Sequence, residues 1–328
     1  MTLLFQMFPL ALGVATPIVI CALGGLFSER SGIVNIALEG IMLVGAFFGA
    51  TVSLLLESSF GSLAPWIGIL AGLLAGCLYS LIHAFVSVSL KADQTISGTA
   101  LNMLSTGLTV YLCQIIFNAQ RSEQFIESFS RISVPVLKDI PVLGPLFFTN
   151  VFPTFYLAIA LAIITWFVVF KTKFGLHLRS CGEYPQASAS MGIHVEKMRY
   201  IGVLISGCLG GLAGAIMVLS LDVQFTVFSI HGIGFISMAC LIFGKWKPFG
   251  CLGAGIFFGF SQVLSDYSGQ IPFLKSLPSE VFFALPYLLT IIALLLFARS
   301  SVGPKASGEI YDCLLYTSYH CFFLHVDA

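Results

Sequence analysis

From Thr95 to Phe117 the chain runs twenty-three residues without a charge, and the polar side chains in that run fall on one line. Thr95, Thr99, Asn102, Thr106 and Thr109 are spaced four, three, four and three apart, which stacks them on one face of an α-helix. Leu101, Met103, Leu104, Leu108, Val110 and Leu112 cover the rest. About twenty apolar residues in a helix span the hydrocarbon of a bilayer. Lipid offers a polar stripe no hydrogen-bond partner, so the stripe must face other helices or a wet cavity. Interhelical bonding by Thr and Asn is the plainer use. Five in register predict more, the wall of a route for a polar solute.

Composition leaves little room for a soluble globule. Hydrophobic residues make up 58% of the 328 and charged residues 9%, where a soluble domain has roughly 25% charged. Most segments are apolar on every face, unlike the amphipathic helices of a water-facing bundle. The net charge is zero, so no basic patch points to nucleic acid. Nine cysteines are scattered through apolar runs and never form CxxC, the pattern of small membrane-core residues rather than of disulfides or zinc. No cleavable leader is expected, because no Lys or Arg precedes Arg30 and the first apolar run is too long.

Apolar spans read as 5–27, 33–56, 64–90, 95–118, 153–170, 199–221, 223–244, 248–266 and 280–298. The chain is therefore expected to be all-α, a polytopic helical membrane protein of about nine (eight to ten) transmembrane helices with broken or re-entrant segments. With the N-terminus outside, Arg30, Lys91, Lys171, Lys173, Arg179, Lys197, Arg199, Lys245, Lys247, Arg299 and Lys305 lie inside. Arg121, Arg131, Lys138 and Lys275 lie outside. Eleven against four sets that orientation and puts the C-terminus in the cytoplasm. Two loops are long: an external one, 119–152, and a basic cytoplasmic one, 171–198. Gly207, Gly210, Gly211 and Gly214, and again Gly250, Gly253, Gly255 and Gly259, form small-residue faces suited to close helix packing.

Two further places put polar groups at membrane depth. Asn35 and Glu39 are expected one turn apart at the start of the second span. A buried carboxylate there costs about 2.5–3.5 kcal/mol and needs a partner or water; near the interface it would instead favour the positive end of its helix. Asp222, Gln224, Thr226, Ser229 and His231 interrupt the seventh span, followed by Gly232 and Gly234. Broken helices line cavities in transporters, and Phe225 and Phe228 beside the break suit a flat ring. His231 alone makes no metal site, and no metal is expected elsewhere.

Energy for uphill transport must come from elsewhere. The chain has no GxxxxGK(S/T) phosphate loop, since its only Gly-Lys pair, Gly244 and Lys245, is followed by Trp246. Pro185 and Gly192 bracket a predicted two-turn helix, Pro185–Met191, in the cytoplasmic loop. It can be an ordinary surface helix or a docking knob for a cytosolic protein.

The segment Ser28–Gly40, SERSGIVNIALEG, resembles the N-terminal signature of ABC-transporter permeases of the branched-chain amino acid, simple sugar and nucleoside family. Ala92–Asn102 (ADQTISGTALN), Phe174–Pro185 (FGLHLRSCGEYP) and Ala187–Ile193 continue the resemblance. So do Ile205–Gly214 (ISGCLGGLAG) and Phe243–Gly250 (FGKWKPFG). The six come in order, the resemblance covers nearly everything from Gly24 to about Gly308, and it is greatest to nucleoside (guanosine-type) permeases. The resemblance implies a membrane domain over 1–308 that pairs with a second permease, as a heterodimer, in the bacterial cytoplasmic membrane. It implies cytosolic ABC ATPases and an extracytoplasmic substrate-binding lipoprotein as partners. ATP-Mg is then used by the ATPase, with no cofactor in this chain and no enzymatic activity of its own. Gly182, Glu183, Pro185, Ala187, Ala189 and Gly192 match the coupling element that fits the ATPase. Cys181, Ser188 and Ser190 depart from the small apolar residues usual there, a mild change if the helix lies on the surface. The tail 309–328 does not resemble the family's, and its Cys313, His320, Cys321 and His325 lack zinc spacing. The expected function is nucleoside import by alternating access, with a ribose-type sugar or a branched-chain amino acid as the alternative cargo. A gradient-driven secondary transporter, using Glu39 and Asp222, and a passive channel are the rivals of another class.

Overall fold

A computed structural model describes residues 2–135, 144–222, 224–267 and 303–312, together with Leu288 and Ile291. Ten α-helices run in the order α1 (Thr2–Ser31), α2 (Leu38–Phe60), α3 (Ala64–Ala84), α4 (Gln94–Phe117), α5 (Pro153–Lys171), α6 (Lys173–Glu183), α7 (Pro185–Ser190), α8 (Val195–Leu221), α9 (Ile233–Phe243) and α10 (Pro248–Asp266). Six stretches among the described residues are long and apolar enough to cross a membrane. One of them, Leu38–Ser89, has 52 residues. At helical rise it would be about 78 Å long, more than twice the hydrocarbon thickness. It folds back at Gly61–Leu63 into the antiparallel pair α2 and α3.

Two helices make the centre. The most apolar stretch of α1 is 89% buried and that of α8 78%, against 22% for α4. Glycine lets backbones touch there. A methyl group on Gly211 of α8 would overlap Gly72 and Gly76 of α3, and one on Gly45 of α2 would overlap Gly211. The first predicted small-residue face thus packs three helices at once. In the second face, Gly255 and Gly259 meet Val19, Ala11 and Ala15 of α1, whereas Gly253 faces open space.

The second helix starts later than the apolar run suggested. Gly32, at φ +98°, ends α1 in the left-handed conformation. Its N–H bonds the carbonyl of Glu29 at 3.0 Å, and that of Ile33 bonds Ser28 at 3.2 Å. This paired closure terminates a helix. Residues 33–37 are therefore not helical, and Asn35 is not one helical turn from Glu39 as expected.

The seventh span is broken. After α8 the described residues 222 and 224–232 are not helical, and the helix resumes at Ile233–Phe243. Eleven residues reach about 16 Å, half the hydrocarbon. The far end of α9 leads to Trp246, whose indole N–H donates to Glu29 near the end of α1 at 2.5 Å. Its near end meets Glu39, which therefore lies about half-way through the bundle. The stretch 222–243 is one passage made of turns and a half-helix. With α1, α2, α3, α4, α5, α8 and α10 the described residues make eight passages. The expected ninth, 280–298, lies outside the described residues apart from Leu288 and Ile291, as do Pro141, Lys138, Lys275, Arg299 and the tail beyond Asp312.

The basic residues Arg30, Lys91, Arg179, Arg199, Lys245 and Lys305 gather at one end of the bundle, with α6, α7 and residues 303–312. At the other end residues 119–135 pair with the broken passage and the end of α8: Ser122 and Phe225 exchange main-chain and side-chain bonds, and Phe129 N–H donates to the Leu219 carbonyl.

Candidate functional site

Glu39 sits in the first turn of α2, half-buried, and its carboxylate closes the start of a different helix. Its Oε1 accepts from the N–H of Gly232 at 2.6 Å and its Oε2 from the N–H of Gly234 at 2.7 Å. Both donors belong to the unpaired amides that begin α9. The negative charge thus lies at the positive ends of two helices. Gly232 has φ +82°, and any side chain at Gly234 would run into the backbone of Glu39. Two glycines at these positions let the half-helix start against the carboxylate.

Asn102 stands beside this junction and ties it to α4. Its Oδ1 accepts from Gly40 N–H at 2.8 Å, and its Nδ2 donates to the carbonyl of Ile36 at 3.0 Å. The other stripe residues do something different. The buried face of α4 carries Gln94, Ser97, Gly98, Leu101, Ser105, Thr109 and Cys113. The predicted stripe lies a quarter-turn away, so Thr95, Thr99 and Thr106 are exposed while Thr109 is buried. Thr99, Thr106 and Thr109 donate to carbonyls one turn back at 2.9, 3.1 and 2.8 Å. The stripe is a self-satisfied polar edge, open on one side and flanked by the Glu39 junction on the other.

Residues that the sequence reading passed over hold the 33–37 linker in place. Val34 N–H donates to Gln94 Oε1 at 2.7 Å, and Asn35 Nδ2 donates to Ser206 Oγ at 2.9 Å. His83 Nε2 lies 3.3 Å from the Val34 carbonyl. A carbonyl only accepts, so Nε2 carries the proton and Nδ1 accepts from Ser97 Oγ at 3.0 Å. A histidine inside one apolar run and a glutamine just before the next were the available signals.

The broken passage divides its predicted residues between two roles. Phe225 is fully buried with its ring 5.4 Å from that of Phe47, so it is core and not a wall. Phe228 is 74% exposed, and its ring is 5.6 Å from His231. His231 itself is exposed at φ +40°, its Nδ1 2.7 Å from the Phe228 carbonyl. Asp222 caps α8, and its buried Oδ2 has no hydrogen-bond partner among the described residues. Above the break, at the end of α4, a polar cleft of about 510 Å³ is lined by Arg121, Ser122, Glu123 and Gln224.

At the basic end the bracketed helix forms as Pro185–Ser190, one residue shorter than predicted, with Met191 as its cap and Gly192 at φ +83°. A second helix, α6, precedes it; Phe174, Leu178 and Cys181 at helical spacing were its signal. Of the six predicted coupling residues, Ala187 and Gly192 are exposed, and Glu183 and Ala189 half-buried. Gly182 and Pro185 are buried, Gly182 against the carbonyl of Arg30. Cys181 and Ser188 are buried too, so those two departures from the family pattern are not on a surface. Exposed Tyr184, Gln186, Ser190 and Met191 present the rest of the outer face.

Among the described residues no cluster of His, Cys, Asp and Glu can hold a metal ion. Cys313, His320, Cys321 and His325 lie outside them.

The family described as branched-chain amino acid transport system, permease component, matches residues 9–294. The chain is 48% identical over 303 residues to the guanosine ABC transporter permease NupQ of Bacillus subtilis, covering 92% of this chain and 95% of that one. It is 46% identical over 297 residues to the nucleoside ABC transporter permease NupC of Lactococcus lactis, covering 90% and 93%. The putative glucose ABC transporter permease TsgC13 of Haloferax volcanii is 33% identical over 254 residues, 76% and 74% of the two chains.

Proposed function

The chain belongs to the branched-chain amino acid transport permease family, as a multi-pass membrane subunit of an ABC transporter, and on that premise we propose that its cargo is a nucleoside. The observation that carries the cargo is similarity at 48% and 46%, over nine-tenths of the chain, to permeases named for guanosine and for nucleosides. A glucose permease at 33% makes a simple sugar the second reading.

In this reading the basic end is cytoplasmic and the N-terminus outside, since basic residues are retained inside. An extracytoplasmic binding lipoprotein delivers solute to the cleft by Arg121, Glu123 and Gln224. Solute then passes between Phe228 and His231 on one side and the edge Thr95, Thr99, Asn102 and Thr106 on the other. The carboxylate of Glu39 holds α9 closed beneath it, with Asn35 bracing the linker. A ring can stack on Phe228, and ribose hydroxyls can exchange hydrogen bonds with Asn102 and the threonines. The open polar edge of α4 needs a non-lipid neighbour; a second, different permease supplies it. The exposed face of α7 meets the cytosolic ATPase, where ATP-Mg is bound and hydrolysed.

Uptake of labelled guanosine by cells expressing the assembly tests this. It should depend on the ATPase, persist when an ionophore collapses the proton gradient, and compete with other nucleosides better than with ribose, glucose or leucine. Uptake that persists with an inactive ATPase and fails with the ionophore would establish the gradient-driven class instead.

A further inference from the structure

Residues 303–312 cross no membrane, yet they join most of the connections at the basic end. Gly303 lies under Trp246, where an added methyl would come within 2.9 Å of the ring. Lys305 Nζ donates to the Tyr184 hydroxyl at 2.6 Å, at the junction of α6 and α7. That bond holds the Lys305 ammonium above its usual pKa. Ala306 N–H donates to the Gly182 carbonyl at 2.9 Å, and Gly308 N–H to the Gly32 carbonyl at 3.2 Å. Asp312 pairs with Lys91 at 3.0 Å.

Two of these bonds are only two residues apart in the chain, so they bind the end of α6 tightly to the hinge that closes α1. From Gly32 the linker runs through Val34, held by Gln94, and Asn35, held by Ser206. It continues to Ile36, which shares Asn102 with Gly40, next to Glu39. The contacts are continuous from α7 to the junction. An anchor fixes the middle. Arg199 is 1% exposed, and among the described residues its guanidinium makes one hydrogen bond, from Nη1 to the carbonyl of Glu309 at 2.9 Å. A buried charge needs such a partner, so leaving this seat is costly for the segment.

We propose that residues 303–312 are a transmission strap. Through Lys305, Ala306 and Gly308 it ties α6–α7 to the Gly32 hinge, and it delivers displacement of α7 to the linker and to the contact of Glu39 with α9. This rests on the transport reading above. A strap that transmits must be taut, whereas one that only holds the fold together tolerates slack. That difference is testable.

A Gly-Gly insertion between Ser307 and Gly308 keeps every anchor and loosens the tie. In the purified assembly, in vesicles, it should leave copurification of the ATPase intact and lower labelled guanosine uptake per ATP hydrolysed by about tenfold. Lys305→Met, which leaves the main-chain bonds, should lower the same ratio by about threefold. An unchanged ratio in the insertion variant overturns the strap. Loss of the assembly on insertion, with an unchanged ratio in Lys305→Met, overturns it too, because the segment is then purely structural. If the wild-type assembly takes up no nucleoside, the transport reading falls first and the strap with it.

Discussion

Single residues carry the junction. Glu39 uses both carboxylate oxygens on backbone amides. Glu39→Gln places an N–H₂ against one of those N–H groups, and an unsatisfied buried donor costs about 1–3 kcal/mol. The variant should insert normally but melt earlier in detergent, and guanosine uptake should fall by at least about tenfold. Asn102→Leu strands Gly40 N–H and the Ile36 carbonyl at once, so the same two measurements should move together. Thr99→Val separates route from scaffold. Among the described residues its hydroxyl bonds within α4 alone, so stability should change by less than about 0.5 kcal/mol while uptake drops. Both Glu39 and Asn102 were legible as polar groups at membrane depth. Their partners were not. Glu39 is bound by main-chain amides 193 and 195 residues further on, and a backbone N–H leaves no mark in a sequence.

Helices and their ends were legible where composition changes and obscure where it does not. The polar cluster 222–231 announced a broken seventh passage. The late start of α2 was hidden, because Ile33 to Ala37 is as apolar as the helix it precedes and only Gly32 signals the closure of α1. The polar stripe of α4 was correctly spaced, but periodicity cannot say which neighbour it faces, and the packed side proved to be a quarter-turn away. Helix packing itself gives a prediction. Gly211 touches α2 and α3 at backbone distance, so Gly211→Leu must push helices apart. Overpacking costs about 1–3 kcal/mol or more, and the variant should accumulate poorly and lose thermal stability. Gly253→Ala has open space beside it and should be neutral or stabilising by up to about 1 kcal/mol. Equal effects of the two would remove close approach as the reason for these glycines.

For the whole molecule, burial falls from α1 and α8 outward to α4, whose exposed side still carries hydroxyl groups. An all-α membrane architecture, and membership of a permease family, could be read from hydropathy and motifs. How the ends are stitched together could not, since the ties at Gly182, Gly32 and Arg199 are mostly to carbonyl oxygens. The central claim is that the edge of α4 beside Glu39 is wetted by the passing solute at some stage of the cycle. It is tested by Thr99→Cys and Thr106→Cys, made with half-buried Cys77 and Cys208 replaced by alanine. A membrane-impermeant thiol reagent is applied to the assembly without nucleotide and again with ATP hydrolysis arrested. Both positions should label in at least one state, with labelling slowed by guanosine. If neither labels in either state, α4 faces lipid or protein throughout, and the proposed route does not exist.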